Sequence, residues 1–273
     1  MNRIFLLLCA LSCSAIVTVG QVVKPAKQVL ELKMPRTADD DKPGTRGAAV
    51  VWHPTLKKYY AAFAGNTEYP LALFDEKGKL LSDESLSTMI DTRGLWYNPT
   101  RKAIMGNAYG DNGWFKYNLD NKGIPTEYEI LQDGMLQPDP QSVGAYDFTG
   151  KQVLFFYDGS LYRYDEKGNV KDSSTINLGR TSTKGEVWED ELYELLEDYN
   201  YTNLIYTGIK GQEIGLLNAV KLQVELYDIK TGFLTKVITL PKDAKAEMTF
   251  NFAYANSTFW LFDMEARTWK GYR

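Results

Sequence analysis

From residue 46 onward the chain switches repeatedly between short apolar runs rich in aromatics and polar clusters rich in Gly, Asn, Asp and Pro. Residues 92–132 are typical: GLWYNP, KAIMGNAYG, GWFKYNLDNKG and TEYEILQ follow one another. Runs of this length and composition predict strands, and the clusters between them predict turns. One segment breaks the pattern. In TSTKGEVWEDELYELLEDYN (181–200), Trp188, Leu192, Leu195, Leu196 and Tyr199 recur at helical spacing, and Thr183 with Glu186 fits a capping box. The expectation is a helix over about 185–199. Its other face carries Glu189, Asp190, Glu191, Glu194, Glu197 and Asp198. Such a helix either packs on the strand layer with a solvated acidic face or forms a lid or partner-binding surface.

The strand pattern repeats. FDEKG (74–78) returns as YNLDNKG (117–123), YDEKG (164–168) and YDIKTG (227–232). Asp75, Asp120 and Asp165 are 45 residues apart, and Asp228 lies 63 further on, after the helical segment. HPT (53–55), NPT (98–100) and FTGK from Phe148 keep nearly the same period. The D-x-K-G element is turn chemistry: Asp bonds the backbone that follows it, and Gly accepts positive φ. Four short antiparallel strands per unit of this length resemble the β-propeller superfamily, over nearly the whole chain after residue 20. WD, kelch and Asp-box signatures do not recur, so no particular family is indicated.

The resemblance implies an all-β, five-bladed β-propeller with blades near 46–86, 92–132, 142–178, 202–241 and 247–273. The last unit has room for about three strands, NSTFWLFD (256–263) fitting either a second or a third. The alternating segment from Gln28 (28–34) would complete it and close the ring. In such a ring the inter-blade connections share a face with the loops between second and third strands, and ligands are expected there. Arg46 and Arg93, each within a TRG triplet before an innermost strand, would then approach the channel mouth. Together they suit a carboxylate, phosphate or acidic sugar; alternatively each pairs with a neighbouring Asp, such as Asp91 or Asp41, and locks adjacent blades. Tyr69, Tyr109, Trp114 and Trp188, read as loop residues, could stack on sugar rings.

Composition removes several chemistries. The formal charge of −4 and the lack of basic patches argue against nucleic acid. Residues 1–20, with Arg3 ahead of an apolar stretch, read as a secretory signal peptide cleaved near Gly20–Gln21, or after Ala15. No membrane span is expected in the mature chain, and ALS before Cys13 fits a lipoprotein signal poorly. Cys9 and Cys13 both lie in that leader, so disulfides, thiolate metal sites and a cysteine nucleophile are not expected. His53 is the sole histidine, placed in a turn on the face away from the expected pocket, which argues against histidine-based catalysis or metal binding there. ADDD (38–41) and GDN (110–112) offer oxygen ligands for Ca²⁺ without the spacing of a calcium loop, so no cofactor or metal is expected. Asn200 and Asn256 head glycosylation sequons.

The sequence therefore favours a secreted or periplasmic, non-enzymatic binding or interaction module. Its expected ligand is a small anion or glycan on the inter-blade face, held by Arg46, Arg93, Asp91, Tyr109, Trp114 and Trp188; its alternative partner is a protein bound through helix 185–199. The competing reading is a carboxylate- or Ca²⁺-dependent hydrolase or lyase acting on a glycan or lactone, which needs acids converging at the channel mouth.

Overall fold

The computed structural model describes residues 25–36, 45–182 and 189–273; of residues 189–192 it describes the backbone alone. The first strand, β1 (Gln28–Lys33), is separate in sequence from the sheets that follow. Blade 1 comprises β2 (Arg46–His53), β3 (Lys58–Ala64) and β4 (Leu71–Asp75). Blade 2 is β5 (Thr92–Asn98), β6 (Ala103–Ala108), β7 (Trp114–Leu119) and β8 (Pro125–Gln132). Blade 3 is β9 (Ala145–Asp147), β10 (Gln152–Tyr157), β11 (Ser160–Asp165) and β12 (Val170–Thr175). Helix α1 (Glu189–Leu196) precedes blade 4: β13 (Ile205–Tyr206), β14 (Ile214–Asn218), β15 (Gln223–Tyr227) and β16 (Leu234–Thr239). Blade 5 holds β17 (Phe252–Ala255), β18 (Thr258–Asp263) and β19 (Thr268–Tyr272), and β1 is its outermost strand. The molecule is a five-bladed β-propeller.

Ring closure runs through β1, which pairs antiparallel with β19 from Gln28↔Tyr272 to Lys33↔Thr268. Backbone bonds continue past the strand, with Lys27 and Arg273 exchanging N–H and C=O at 2.7 and 3.0 Å. TFWLFD is thus a second strand, and β1 is the fourth of its blade. The closed ring leaves the innermost strands β2, β5, β9, β13 and β17 around one axis, each beside the next.

The repeated pentapeptide is a turn between third and fourth strands. Asp75 Oδ1 accepts from the Lys77 and Lys79 amides, and Asp120, Asp165 and Asp228 cap their own turns likewise. Gly78, Gly123, Gly168 and Gly232 close these turns at φ between 69° and 84° and donate back to the Asp carbonyl. The same logic shapes the first-to-second-strand turns. His53, Asn98 and Asp147 hold equivalent places, each accepting from turn amides.

The core is divided into five clusters, one per blade interface. Each contains side chains from one face of a blade and the facing side of its neighbour, which is the expected burial mode of stacked four-stranded sheets. The described residues contain no Cys, and hydrophobic burial of this kind, at about 25 cal/mol per Å², stabilises the ring without disulfides among them.

One expectation about elements needs correction. Blade 1 has three strands, not four. Its outer segment makes only isolated bridges, Phe74↔Leu80 and Pro70↔Ser87, because Asp83 captures the Ser85 amide and hydroxyl and bends the chain between them. The short inserted helix expected over about 185–199 is present; its described part ends at Leu196, where the Asp198 and Tyr199 amides turn back onto Leu195 and Leu196. Tyr199 is buried beyond it, its hydroxyl donating to Glu225 at 2.7 Å. Leu195 and Leu196 seat the helix on the interface between blades 3 and 4.

Candidate functional site

A cavity of about 440 Å³ lies on the ring axis. Its walls are the innermost strands, from Ala48, Leu95, Val143, Leu204 and Phe252 to the turns at Pro54, Pro99, Phe148, Thr207 and Ser257. It therefore opens on the face of the first-to-second-strand turns, opposite the inter-blade face that the sequence suggested. Toward the inter-blade face the strands are stitched together by buried amides. Gly47 N donates to Asn251 Oδ1 at 2.7 Å, Gly144 N to Asn107 Oδ1 at 3.0 Å, and Asn203 Nδ2 to the Phe252 carbonyl at 2.7 Å. Asn200 Nδ2 bonds the Glu247 and Phe250 carbonyls, and the residue has no exposed surface, so the folded ring leaves its sequon no room for a glycan.

Near the mouth, each blade places an aromatic residue at one recurring position of the wall: Trp52, Tyr97, Tyr146, Tyr206 and Tyr254. Each precedes by one residue the head of its turn, at His53, Asn98, Asp147, Thr207 and Ala255. Each also joins a different inter-blade cluster. Most are braced by another ring: Trp52 by Tyr59 (4.5 Å between centroids), Tyr97 by His53 (4.7 Å), Tyr206 by Phe148 (5.2 Å) and Tyr254 by Phe259 (5.1 Å). Tyr146 is fixed instead through its hydroxyl, which donates to Glu166 at 2.7 Å. Braced rings of this kind lose little freedom when a ligand lands on them.

The site is uncharged. No Asp, Glu, Lys or Arg stands among the described residues of its wall. Burial pushes the Tyr206 hydroxyl up to about 12 and raises Tyr146 and Tyr254 as well, with the Glu166 carboxylate adding to the effect at Tyr146. These phenols are therefore neutral donors throughout the physiological range. Behind the collar, burial lowers the pKa of His53, which keeps the imidazole neutral. Its Nδ1 accepts from Leu56 N at 3.3 Å.

The residues singled out from the sequence lie elsewhere. Arg46 and Arg93 do converge: both guanidiniums stack on Phe250, at 4.4 and 5.7 Å from its centroid. The two TRG triplets are not equivalent, however. Arg46 pairs opposite Ala64, whereas Arg93 sits at an irregularity between Thr92 and Gly94. Arg93 is buried and forms an ion pair with Asp91, with a second contact at 3.3 Å and Tyr109 stacked 4.4 Å away. Burial lowers its pKa while Asp91 holds the charge in place. Asp91 also accepts from Gly65 N of blade 1, at 2.9 Å. Asp91 thus joins Arg93 of blade 2 to Gly65 of blade 1. Trp114 is no loop residue: it opens β7, is fully buried, and packs on Trp96, Phe155 and Tyr164. Tyr69 packs on the interface between blades 5 and 1. Trp188, the capping-box residues and the acidic run 38–41 lie outside the described residues. Among the described residues, no group of three or more His, Cys, Asp or Glu is placed to hold a metal.

No family model and no curated protein matches the chain. Several solved structures are similar to it in shape. One is a structural genomics protein of unknown function from Bacteroides thetaiotaomicron VPI-5482, at 12% identity and a TM-score of 0.46, with 84% of this chain and 60% of that one covered. This chain thus spans 60% of that protein's length. The β-propeller domain of Myceliophteria thermophila Cps50 (Swd1) gives 8% identity and a TM-score of 0.49 over 91% of this chain and 99% of that one. XC5397 from Xanthomonas campestris, described as a gluconolactonase, gives 9% and 0.46 over 92% and 98%. Likenesses at this level bear on no residue and no activity, and the fold assignment stands on the ring's own topology.

Proposed function

We propose that the protein is an exported, non-enzymatic binding module that takes an uncharged ligand into its central cavity from the turn face. The observation that carries this reading is the cavity itself: about 440 Å³, walled by apolar side chains, with braced aromatics at its mouth. That size lies within the range of small-molecule sites, and its few polar groups are the kind that orient a ligand. Hydrolase chemistry finds less support. Two carboxylates touch wall residues from behind: Glu166, whose Oε1 accepts from both Tyr146 and Asn98, and Asp147, beside the Tyr206 hydroxyl. Neither is itself part of the wall, where no pair of acids of the kind such catalysis needs stands among the described residues.

The uncharged fluorescent probe N-phenyl-1-naphthylamine tests the reading. It is expected to bind saturably at one site per chain, and Phe148→Ala, which removes a half-exposed ring from the mouth, should weaken it. An unsaturable signal, or one insensitive to Phe148, would overturn the assignment. Export is tested on the same sample. Intact mass of protein recovered outside the cytoplasm should begin near Gln21; recovery only from cytosol with Met1 retained would remove that part.

A further inference from the structure

We infer that the ligand is a neutral carbohydrate residue seated within the collar formed by Trp52, Tyr97, Tyr146, Tyr206 and Tyr254. This rests on the binding reading above and adds the chemistry of the ligand. The collar repeats at one position per blade, although the residue after it changes from His to Asn, Asp, Thr and Ala. Interface packing accounts for one side of each ring, and any large apolar side chain would satisfy it. The hydroxyls of Tyr146 and Tyr206 are held by Glu166 and Thr149, and Tyr254 has Ser257 beside it, whereas neither packing nor a protein partner accounts for the phenol at Tyr97.

The polar inventory narrows the ligand. The Tyr97 hydroxyl makes no hydrogen bond among the described residues, and Asn256, exposed at the mouth, commits its Nδ2 to Tyr59 while leaving its side-chain oxygen to accept. A fully apolar ligand would leave these groups unmatched. An ionised ligand would find no counter-charge on the wall and would be desolvated at a loss. A pyranose brings both halves: a C–H face that lies on aromatic rings and hydroxyls that donate and accept. Arg273, the cation near the mouth, is engaged with the Asn256 carbonyl and Thr258 Oγ1.

The test is competition against N-phenyl-1-naphthylamine, backed by saturation-transfer NMR, using neutral methyl glycosides and disaccharides alongside the matching uronic acids. We expect at least one neutral sugar to displace the probe and its uronic acid to bind about tenfold more weakly. Tyr97→Phe, which keeps the packing and removes the hydroxyl, should cost the sugar about tenfold while leaving probe affinity nearly unchanged, the loss of one good hydrogen bond. If the probe binds and no neutral sugar displaces it, the carbohydrate inference falls and the binding reading stands. If neither binds, both fall. If a sugar binds without displacing the probe and is lost in Tyr109→Ala, on the other face, the collar is not the site.

Discussion

At the residue scale, the turn head of blade 1 is the most informative position. His53, Asn98 and Asp147 do one job with three chemistries, and only the imidazole titrates near neutrality. Its pKa is lowered from 6.5 by burial, so the folded state resists protonation that the unfolded chain accepts. By linkage the stability that His53 lends is complete above about pH 6.5 and is lost as the pH falls from there toward the folded value. His53→Asn, which copies blade 2, should change stability at pH 8 by within about 1 kcal/mol and flatten the fall in melting temperature between pH 7 and pH 5. Calorimetry across that range checks it; an unchanged slope in the variant would place the acid sensitivity elsewhere. Trp114 teaches the complementary lesson. After GDNG it looks like a loop residue in the sequence, but the turn ends one residue sooner, and the ring is swallowed by the interface with blade 3.

At the element scale, the recurring turns differ in what surrounds them. Gly78 adopts φ +83°, and a β-carbon there would collide with the Glu31 carbonyl oxygen of β1. Gly110 has φ +59° and open space around it. Gly78→Ala should therefore cost about 2–3 kcal/mol, and Gly110→Ala about 1 kcal/mol, in chemical denaturation. Equal costs would mean that the close approach of blade 1 to β1 carries no strain. The turns were the most legible part of the chain, because Asp and Gly at fixed offsets have a local mechanism. The missing fourth strand of blade 1 was less legible, since a Leu-rich run around a Ser/Asp bend reads as a strand until its hydrogen bonds are followed. The collar could have been found: Trp52 and Tyr97 directly precede the HPT and NPT markers. In blades 4 and 5 the markers decay to TGI and ANS, and the fivefold set disappears from view.

At the scale of the whole molecule, what the sequence could not show is which end of the ring is sealed. That depends on Asn107, Asn203 and Asn251 crossing between blades, contacts between residues far apart in the chain. The seam between β1 and β19 is the longest such contact and invites a direct test. Glu31 and Lys270 stand opposite each other there. A disulfide from Glu31→Cys and Lys270→Cys should raise stability by about 2–4 kcal/mol over the reduced form, chiefly by restricting the unfolded chain. No gain would mean that the seam already persists when the rest of the molecule has opened.

That seam also sets an order of events during synthesis. β1 must wait for β19, far along the chain, which at about 5–20 residues per second is a delay of tens of seconds. Throughout it Leu30 and Leu32 have no partner strand, and the final blade has nothing to finish it. Whatever keeps these apolar side chains covered until β19 has been made decides how much of this protein escapes aggregation.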